Sequence, residues 1–306
     1  MGDATYAGYA LEALIGKGGM AEVYRARAID GPRTGQTVAV KRLLPALARD
    51  QGYVTLFERE GRLTQMLCHR AIVSVYETGV AGGTPYIVME YVDGRNLRQI
   101  LAQCAARGIL LPVDFGVFVA HVIADALAYA HEARDPVGQP MAVVHCDVSP
   151  SNVFISRLGE IKLGDFGVAH TAAGKEGLGG QGAFGKVRYL APEQIRGEPP
   201  TPRVDLFALG AVLFELLTNE PAFPGSDVNE VGQRILRGDV RAPSALRAEV
   251  PDALDRLVLA ALSPDPARRP PSAVAFGKVL AARYDPSVGT PLAIAAVVRG
   301  LFGTNG

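Results

Sequence analysis

Three oxygen-bearing side chains cluster in one short part of the chain. Asp147 and Asn152 lie within Val144-His145-Cys146-Asp147-Val148-Ser149-Pro150-Ser151-Asn152, and Asp165 opens Asp165-Phe166-Gly167 thirteen residues later. Side chains gathered this way suit activation of a hydroxyl and binding of Mg²⁺, which takes oxygen ligands and shares its sphere with substrate phosphates.

A second group near the start of the chain has phosphate chemistry. Gly16-Lys17-Gly18-Gly19-Met20-Ala21 lies between two strand-like segments, and glycines let backbone N–H groups approach phosphates with no Cβ in the way. A dinucleotide fingerprint needs a helix directly after such a loop; Val23-Tyr24-Arg25-Ala26 continues as strand instead. Lys41 ends the apolar run Val38-Ala39-Val40. It is either an exposed strand lysine or a cation held between phosphates and a helix carboxylate. Glu60 is the favoured carboxylate, while Glu58 points to another helix face.

The elements that must position these groups fall into two kinds. Alternation and β-branched residues predict short strands over about 9–15, 21–29, 37–43, 72–79 and 84–91. One helix interrupts them, with Leu56, Glu60, Leu63 and Leu67 at helical spacing. From residue 95 the period becomes helical: Leu97, Ile100, Leu101 and Cys104 form one stripe, and a longer one follows Pro112. Residues 203–218 are apolar on nearly every face, as in a helix buried at the centre of a lobe. Further helices fit 226–237, 251–262 and 272–283, while 174–185 is glycine-rich and loop-like. Thr290-Pro291 starts a last helix over about 291–302, with Ile294, Val297, Val298 and Leu301 as its stripe. The simplest role for that helix is to cover the larger lobe; the rival is recruitment of a partner.

Composition narrows the classes. A chain of 306 residues can bury a sizeable core. Lys plus Arg and Asp plus Glu both number 31, so no global field recruits nucleic acid or an anionic membrane. Cys68, Cys104 and Cys146 lack metal-ligand spacing and fit reduced thiols. The N-terminus shows no basic stretch followed by an apolar run, and no helix reads as crossing a bilayer. A cytoplasmic location is expected. No histidine belongs to a metal pattern; His145 reads as a packed core residue, and His121, His131 and His170 as structural or solvated.

The ordered set of motifs resembles the eukaryotic-type (Hanks-type) protein kinase family, especially its bacterial serine/threonine members. The set comprises the glycine loop with Val23, Val-Ala-Val-Lys41, helix Glu60 and Met89-Glu90-Tyr91-Val92. The Asp147 loop, Asp165-Phe166-Gly167, Ala191-Pro192-Glu193, Asp205 and Arg269 complete it. The resemblance implies an α+β, bilobal kinase fold over 8–283: a small β-rich lobe to about 92 with one main helix, a larger mostly helical lobe, then a tail over 284–306. It implies that Asp147 orients or accepts the proton of a substrate hydroxyl, that Asn152 and Asp165 bind Mg²⁺, and that Lys41 with Glu60 fixes ATP phosphates. ATP would be lined by Ile15, Gly16, Lys17, Gly18, Gly19, Val23 and Ala39. Glu90 and Val92 would hold adenine through their backbones, with Met89 behind it. Glu193 and Arg269 would form a buried ion pair, and Asp205 would bind the catalytic-loop backbone. The implied activity is transfer of the γ-phosphoryl of MgATP to protein serine or threonine; a nucleotide-binding pseudokinase scaffold is the alternative. The oligomeric state is not legible.

The chain departs from the family pattern at three positions around Asp147. Cys146 replaces an arginine that in many relatives grips a phosphorylated activation loop. Between Asp165 and Glu193 the only hydroxyl side chains are Thr171 and Tyr189, so activity without loop phosphorylation is expected. Ser149 replaces a lysine that contacts the γ-phosphate, while Lys186 stands where relatives carry a threonine. A hydroxyl and an ammonium have exchanged places, and Lys186 is expected to supply the missing charge; the alternative is a solvated loop lysine. Residues 132–142 form an insertion that reads as a surface turn.

Overall fold

Period-two burial turns the first part of the chain into a sheet. The structure is a computed structural model and describes residues 4–166 and 183–303. It divides into two units, one of residues up to Cys68 plus Val73–Tyr91, the other of His69–Ile72 plus Val92 onward.

The first unit is a six-stranded antiparallel sheet of β1 (Ala4–Tyr6), β2 (Tyr9–Lys17), β3 (Ala21–Ala28), β4 (Thr37–Leu43), β5 (Val75–Ala81) and β6 (Thr84–Glu90). Their spatial order is β1-β2-β3-β4-β6-β5. Val38 and Val40 of β4 enter a core with Tyr9, Ala26 and Val88. Alternation sends Lys41 to the opposite face with Leu43, which packs with Phe57 of α1 (Gln51–Gln65). The Asp50 carboxylate caps α1 by accepting from Gly52 N at 2.8 Å. The strand expected from residue 72 begins at Val75 instead. Residues 69–72 join the second unit, where Leu163 N donates to Ala71 O at 2.8 Å.

The second unit holds a three-stranded sheet, β7 (Gly94–Asn96), β8 (Val153–Ser156) and β9 (Ile161–Leu163), and otherwise helices. The helices α2 (Leu97–Arg107), α3 (Val113–His131), α6 (Pro202–Thr218), α7 (Val228–Arg237), α8 (Asp252–Ala261) and α9 (Ala273–Ala281) follow the expected stripes within a few residues. α6 buries 14 of its 17 residues, which makes it the centre of this unit. Two short helices were not expected, α4 (Ala183–Val187) in the loop-like segment and α5 (Pro192–Ile195). One reading is corrected: α3, at 19 residues, is long and apolar enough to cross a bilayer by composition. Ten of its residues are nevertheless buried inside this unit, where it packs on α6 and α9.

The insertion folds back on itself, with Asp135 N donating to Gln139 O at 2.9 Å and Gly138 in a left-handed turn at φ 83°. The tail helix α10 (Pro291–Phe302) buries Ile294, Ala295, Val298 and Leu301 and packs on α2. The side chains of Gln103 and Arg107 donate to the carbonyls of Leu301 and Gly300, each at 3.2 Å. Gly159 sits at φ 83°, and a Cβ there would overlap the Pro291 carbonyl. The tail helix is thus docked on its own unit.

Glu193 and Arg269 pair bidentately at 2.6 and 2.7 Å with both side chains buried. Arg269 also donates to the carbonyls of Ser263 and Arg203, each at 2.9 Å. Removing one partner strands the other charge in a dry site, at a cost of about 3–5 kcal/mol. Glu193→Ala should therefore lower the melting temperature by roughly 6–15 °C, measured by calorimetry; a shift under 2 °C would contradict this account of the pair.

Candidate active site

The first unit gathers one half of the chemistry on a patch of sheet. Strand register sets Gly16 opposite Val23, Val23 opposite Lys41, and Ala39 opposite Met89. Lys41 Nζ lies 2.5 Å from Glu60 Oε1, with side chains only 10% and 8% exposed. Glu58 instead meets Arg62 one helical turn on, in an exposed pair. An ammonium this buried is stable only beside its carboxylate, so the pair fixes α1 and β4 together.

Sequence reasoning missed the residue that lets them meet. Gly61 follows Glu60, and a Cβ there would lie 2.7 Å from Thr78 Cγ2 and 3.1 Å from Ile87 Cδ1. Glycine inside a helix costs about 1 kcal/mol relative to alanine; here it lets α1 approach the sheet closely. A glycine beside Glu60 in an otherwise periodic helix was the available signal.

The loop glycines have no comparable structural reason. Gly16, Gly18 and Gly19 are not among the left-handed positions. A Cβ at Gly19 would meet nothing within 4 Å, and at Gly18 only the Ala21 carbonyl at 3.7 Å. Neither crowding nor backbone strain calls for glycine there; the Gly18 N–H donates to the Ala21 carbonyl at 2.8 Å, and a turn without Cβ atoms leaves room for a phosphate chain to approach the backbone. Ile15, at the end of β2, is 49% exposed. Glu90 N donates to Ser74 O at 2.8 Å, and Val92 belongs to the second unit.

That second unit holds the other half, built around Asp205. Its carboxylate is fully buried and accepts from the backbone N–H groups of His145 and Cys146, each at 2.8 Å. His131 Nε2 donates to it at 2.8 Å, a partnership that nothing in the sequence pattern indicated. Cys146 sits at φ 65°, and burial pushes its thiol pKa up, so it is not a reactive cysteine. His145 is wholly buried, its ring 4.5 Å from that of Phe166. Burial lowers its pKa and keeps it neutral. That suits its bonds, for Nδ1 accepts from Asp147 N at 3.2 Å and Nε2 donates to Gly164 O at 3.1 Å.

Asp147 follows directly. Its Oδ2 accepts from Lys186 Nζ at 2.6 Å and from Asn152 Nδ2 at 3.0 Å. The Lys186 side chain is 45% exposed and that of Asp147 11%. The Ser149 hydroxyl is buried and has no hydrogen-bond partner among the described residues. The ammonium therefore reaches the carboxylate, while the hydroxyl placed opposite it does not.

The two candidate oxygen ligands, Asn152 and Asp165, come together through the β8–β9 hairpin. Val153 pairs with Leu163, and Gly164 N donates to Asn152 O at 2.9 Å, so Asn152 and Asp165 flank the same open end. Because the Asn152 amide nitrogen donates to Asp147 O and Oδ2, its amide oxygen faces away from Asp147. An amide oxygen and a carboxylate are a hard, incomplete donor set, which fits Mg²⁺ completed by phosphates rather than an all-protein cage. Among the described residues no cluster of three His, Cys, Asp or Glu side chains offers another metal site.

Tyr189 is partly buried and its hydroxyl donates to Glu215 at 2.5 Å, a contact with no signal in the sequence. Thr171, Gly167 and His170 lie outside the described residues.

With this geometry in place, comparison with known proteins is decisive. A family model described as the protein kinase domain matches residues 9–280. The chain belongs to the protein kinase family. It is 35% identical over 275 residues to the tyrosine-protein kinase MasK of Myxococcus xanthus, covering 90% of this chain and 43% of that protein. A probable serine/threonine-protein kinase of Streptomyces coelicolor is 38% identical, covering 96% of this chain and 43% of its own length. The serine/threonine-protein kinase PknB of Mycobacterium tuberculosis is 39% identical, over 85% and 40%. The chain thus spans less than half the length of these curated relatives. Among solved structures, the kinase domain of Mycobacterium tuberculosis PknI superposes with a TM-score of 0.69 at 28% identity, covering 92% of this chain and 97% of that one.

The close approach at Gly61 is directly testable. Gly61→Val inserts methyls against Thr78 and Ile87, and overpacking of this kind costs about 1–3 kcal/mol. The variant is expected to melt lower and to bind ATP at least about fivefold more weakly, by calorimetric titration, as α1 lifts and Glu60 leaves Lys41. Unchanged ATP affinity in a folded variant would contradict this role.

Proposed function

We propose that this chain transfers the γ-phosphoryl of MgATP to serine or threonine hydroxyls of proteins. The observation that carries the reading is Asp147, a carboxylate on the catalytic loop that touches both Lys186 and Asn152. Asp147 would orient the acceptor hydroxyl and take up its proton. Lys41, braced by Glu60, would neutralise the α- and β-phosphates beneath the backbone of Gly16, Lys17, Gly18 and Gly19. Ile15, Val23, Ala39 and Met89 would line the adenine, with the Glu90 carbonyl and Val92 N–H addressing its edge. Asn152 and Asp165 would hold Mg²⁺. When bound, that ion supplies charge neutralisation across the β- and γ-phosphate oxygens.

Lys186 takes the part usually played by a lysine at the Ser149 position. Its ammonium holds Asp147 in orientation and brings one positive charge to the place where charge moves in phosphoryl transfer. A charge-assisted hydrogen bond of this kind is worth about 1.5–3 kcal/mol, or roughly ten- to a hundredfold in rate.

Phosphorylation of the loop is not required in this reading. The receptor arginine is replaced by buried Cys146, and the Tyr189 hydroxyl is engaged with Glu215. Serine/threonine preference rests on two of the three curated relatives described above and on Arg188-Tyr189-Leu190-Ala191-Pro192-Glu193; MasK carries the other name.

The test is transfer of labelled phosphate from ATP to the chain itself and to mixed peptides, with phosphoamino-acid analysis and site mapping. Transfer should give phosphoserine or phosphothreonine and vanish in Asp147→Asn. Lys186→Ala should lose roughly ten- to a hundredfold in kcat, and adding Ser149→Lys to it should restore most of the loss. No transfer by the wild type while it binds ATP would support the pseudokinase instead. A turnover number unchanged by Lys186→Ala would remove the charge-exchange role.

A further inference from the structure

Beside Asp147 and Lys186 the second unit presents a further positive charge, Arg98, that the transfer chemistry does not use. Arg98, the second residue of α2, is exposed. Its backbone N–H donates to Pro150 O at 3.0 Å, which ties it to the catalytic loop. Its guanidinium lies against Gly185: a Cβ there would sit 3.0 Å from Nη1. Gly185 adjoins Lys186, whose ammonium contacts Asp147. Arg188 is two residues further on, and both arginines act electrostatically on Tyr189 and Glu215. Lys186 and, through Gly185, Arg98 therefore adjoin the carboxylate that would receive the acceptor hydroxyl, while Arg188 lies deeper with its Nε buried.

The acid within this cluster does not cancel them at the surface. Glu215 is partly buried in α6, its carboxylate accepts from Tyr189, and burial holds its pKa above the usual carboxylate range. Asp147 is itself paired with Lys186. A peptide laid beside the acceptor site thus meets a net positive edge, although the whole chain carries no net charge.

We infer that this edge selects protein substrates whose acceptor serine or threonine is flanked by acidic residues, with Arg98 as the main specificity-determining side chain. The inference rests on the kinase reading and deepens it by naming the substrate class. Basic flanking residues are disfavoured by the same field. Arg98 acts on peptide binding and not on the reacting atoms, so its effect belongs in KM for the peptide rather than in kcat.

Matched peptides with one serine flanked by acidic, neutral or basic residues test it, with the full chain and MgATP. The wild type should use the acidic peptide at least about tenfold better than the basic one in kcat/KM. Exposed charge pairs are worth about 0.2–1 kcal/mol each, so Arg98→Glu should shift that ratio by about three- to thirtyfold, through peptide KM. Its kcat on the neutral peptide and its KM for ATP should stay within twofold. Arg98→Lys should keep the preference, and added salt should shrink it. Equal use of the three peptides by the wild type, or a ratio indifferent to Arg98→Glu, would overturn the inference. Fluorescence-polarisation binding of alanine-acceptor versions of the same peptides separates the two readings. Acidic selectivity in binding without any transfer would sink the kinase reading alone; transfer without charge selectivity would sink this one alone.

Discussion

A single buried carboxylate sets the shape of the catalytic loop. Asp205 sits on a helix that is apolar almost all round, where an unpaired charge would be costly. It is tolerated because two consecutive backbone N–H groups and the His131 ring saturate its oxygens. In return the chain at Cys146 is held in the left-handed region, which a β-carbon makes unfavourable unless surrounding bonds hold it. Asp147 emerges directly from that bend. Its N–H is then taken by His145 Nδ1, whose far side bonds the residue before Asp165. One buried acid thus fixes the backbone that carries Asp147 and, through His145, reaches Gly164, the residue before Asp165.

Relative to the family pattern, one cation beside Asp147 stands in a new place, at Lys186 instead of position 149, and the arginine at position 146 is absent. Ser149 is small and buried, and among the described residues its hydroxyl has no hydrogen-bond partner; a serine brings no cation to this part of the loop. The ammonium comes from α4, across from the loop, and lands on the same carboxylate oxygen that Asn152 holds. The loss of an arginine at Cys146 is matched by the scarcity of hydroxyls in the segment that such an arginine would hold. The Tyr189 hydroxyl is engaged with Glu215.

Much of this was legible in residue order because the chemistry demands particular groups at particular chain distances. Lys41 had to end an apolar strand and Glu60 had to lie on the helix face turned toward it; both follow from periods of two and 3.6. Asn152 and Asp165 could be paired because a short hairpin returns the chain between them. The contacts that escaped are those between residues distant in sequence with no periodic signature. His131 and Asp205 are 74 positions apart, and Tyr189 and Glu215 are 26 apart. Gly61 was overlooked for a different reason: its role is the absence of a side chain, visible only once Thr78 and Ile87 are in place. The length and apolar composition of α3 were legible in the sequence and were overlooked; only its burial against α6 and α9 needed the fold.

The account depends most on Asp205 ordering the loop rather than merely filling the core. Asp205→Asn replaces one acceptor oxygen by an amide that faces an N–H, which should unseat His145 or Cys146. Single-turnover transfer and MgATP affinity, measured on the folded variant, separate the possibilities. The predicted result is ATP affinity within about threefold of wild type and transfer slowed at least about a hundredfold, the scale of a 1 Å misplacement of a catalytic group. Transfer at the wild-type rate would contradict the central claim.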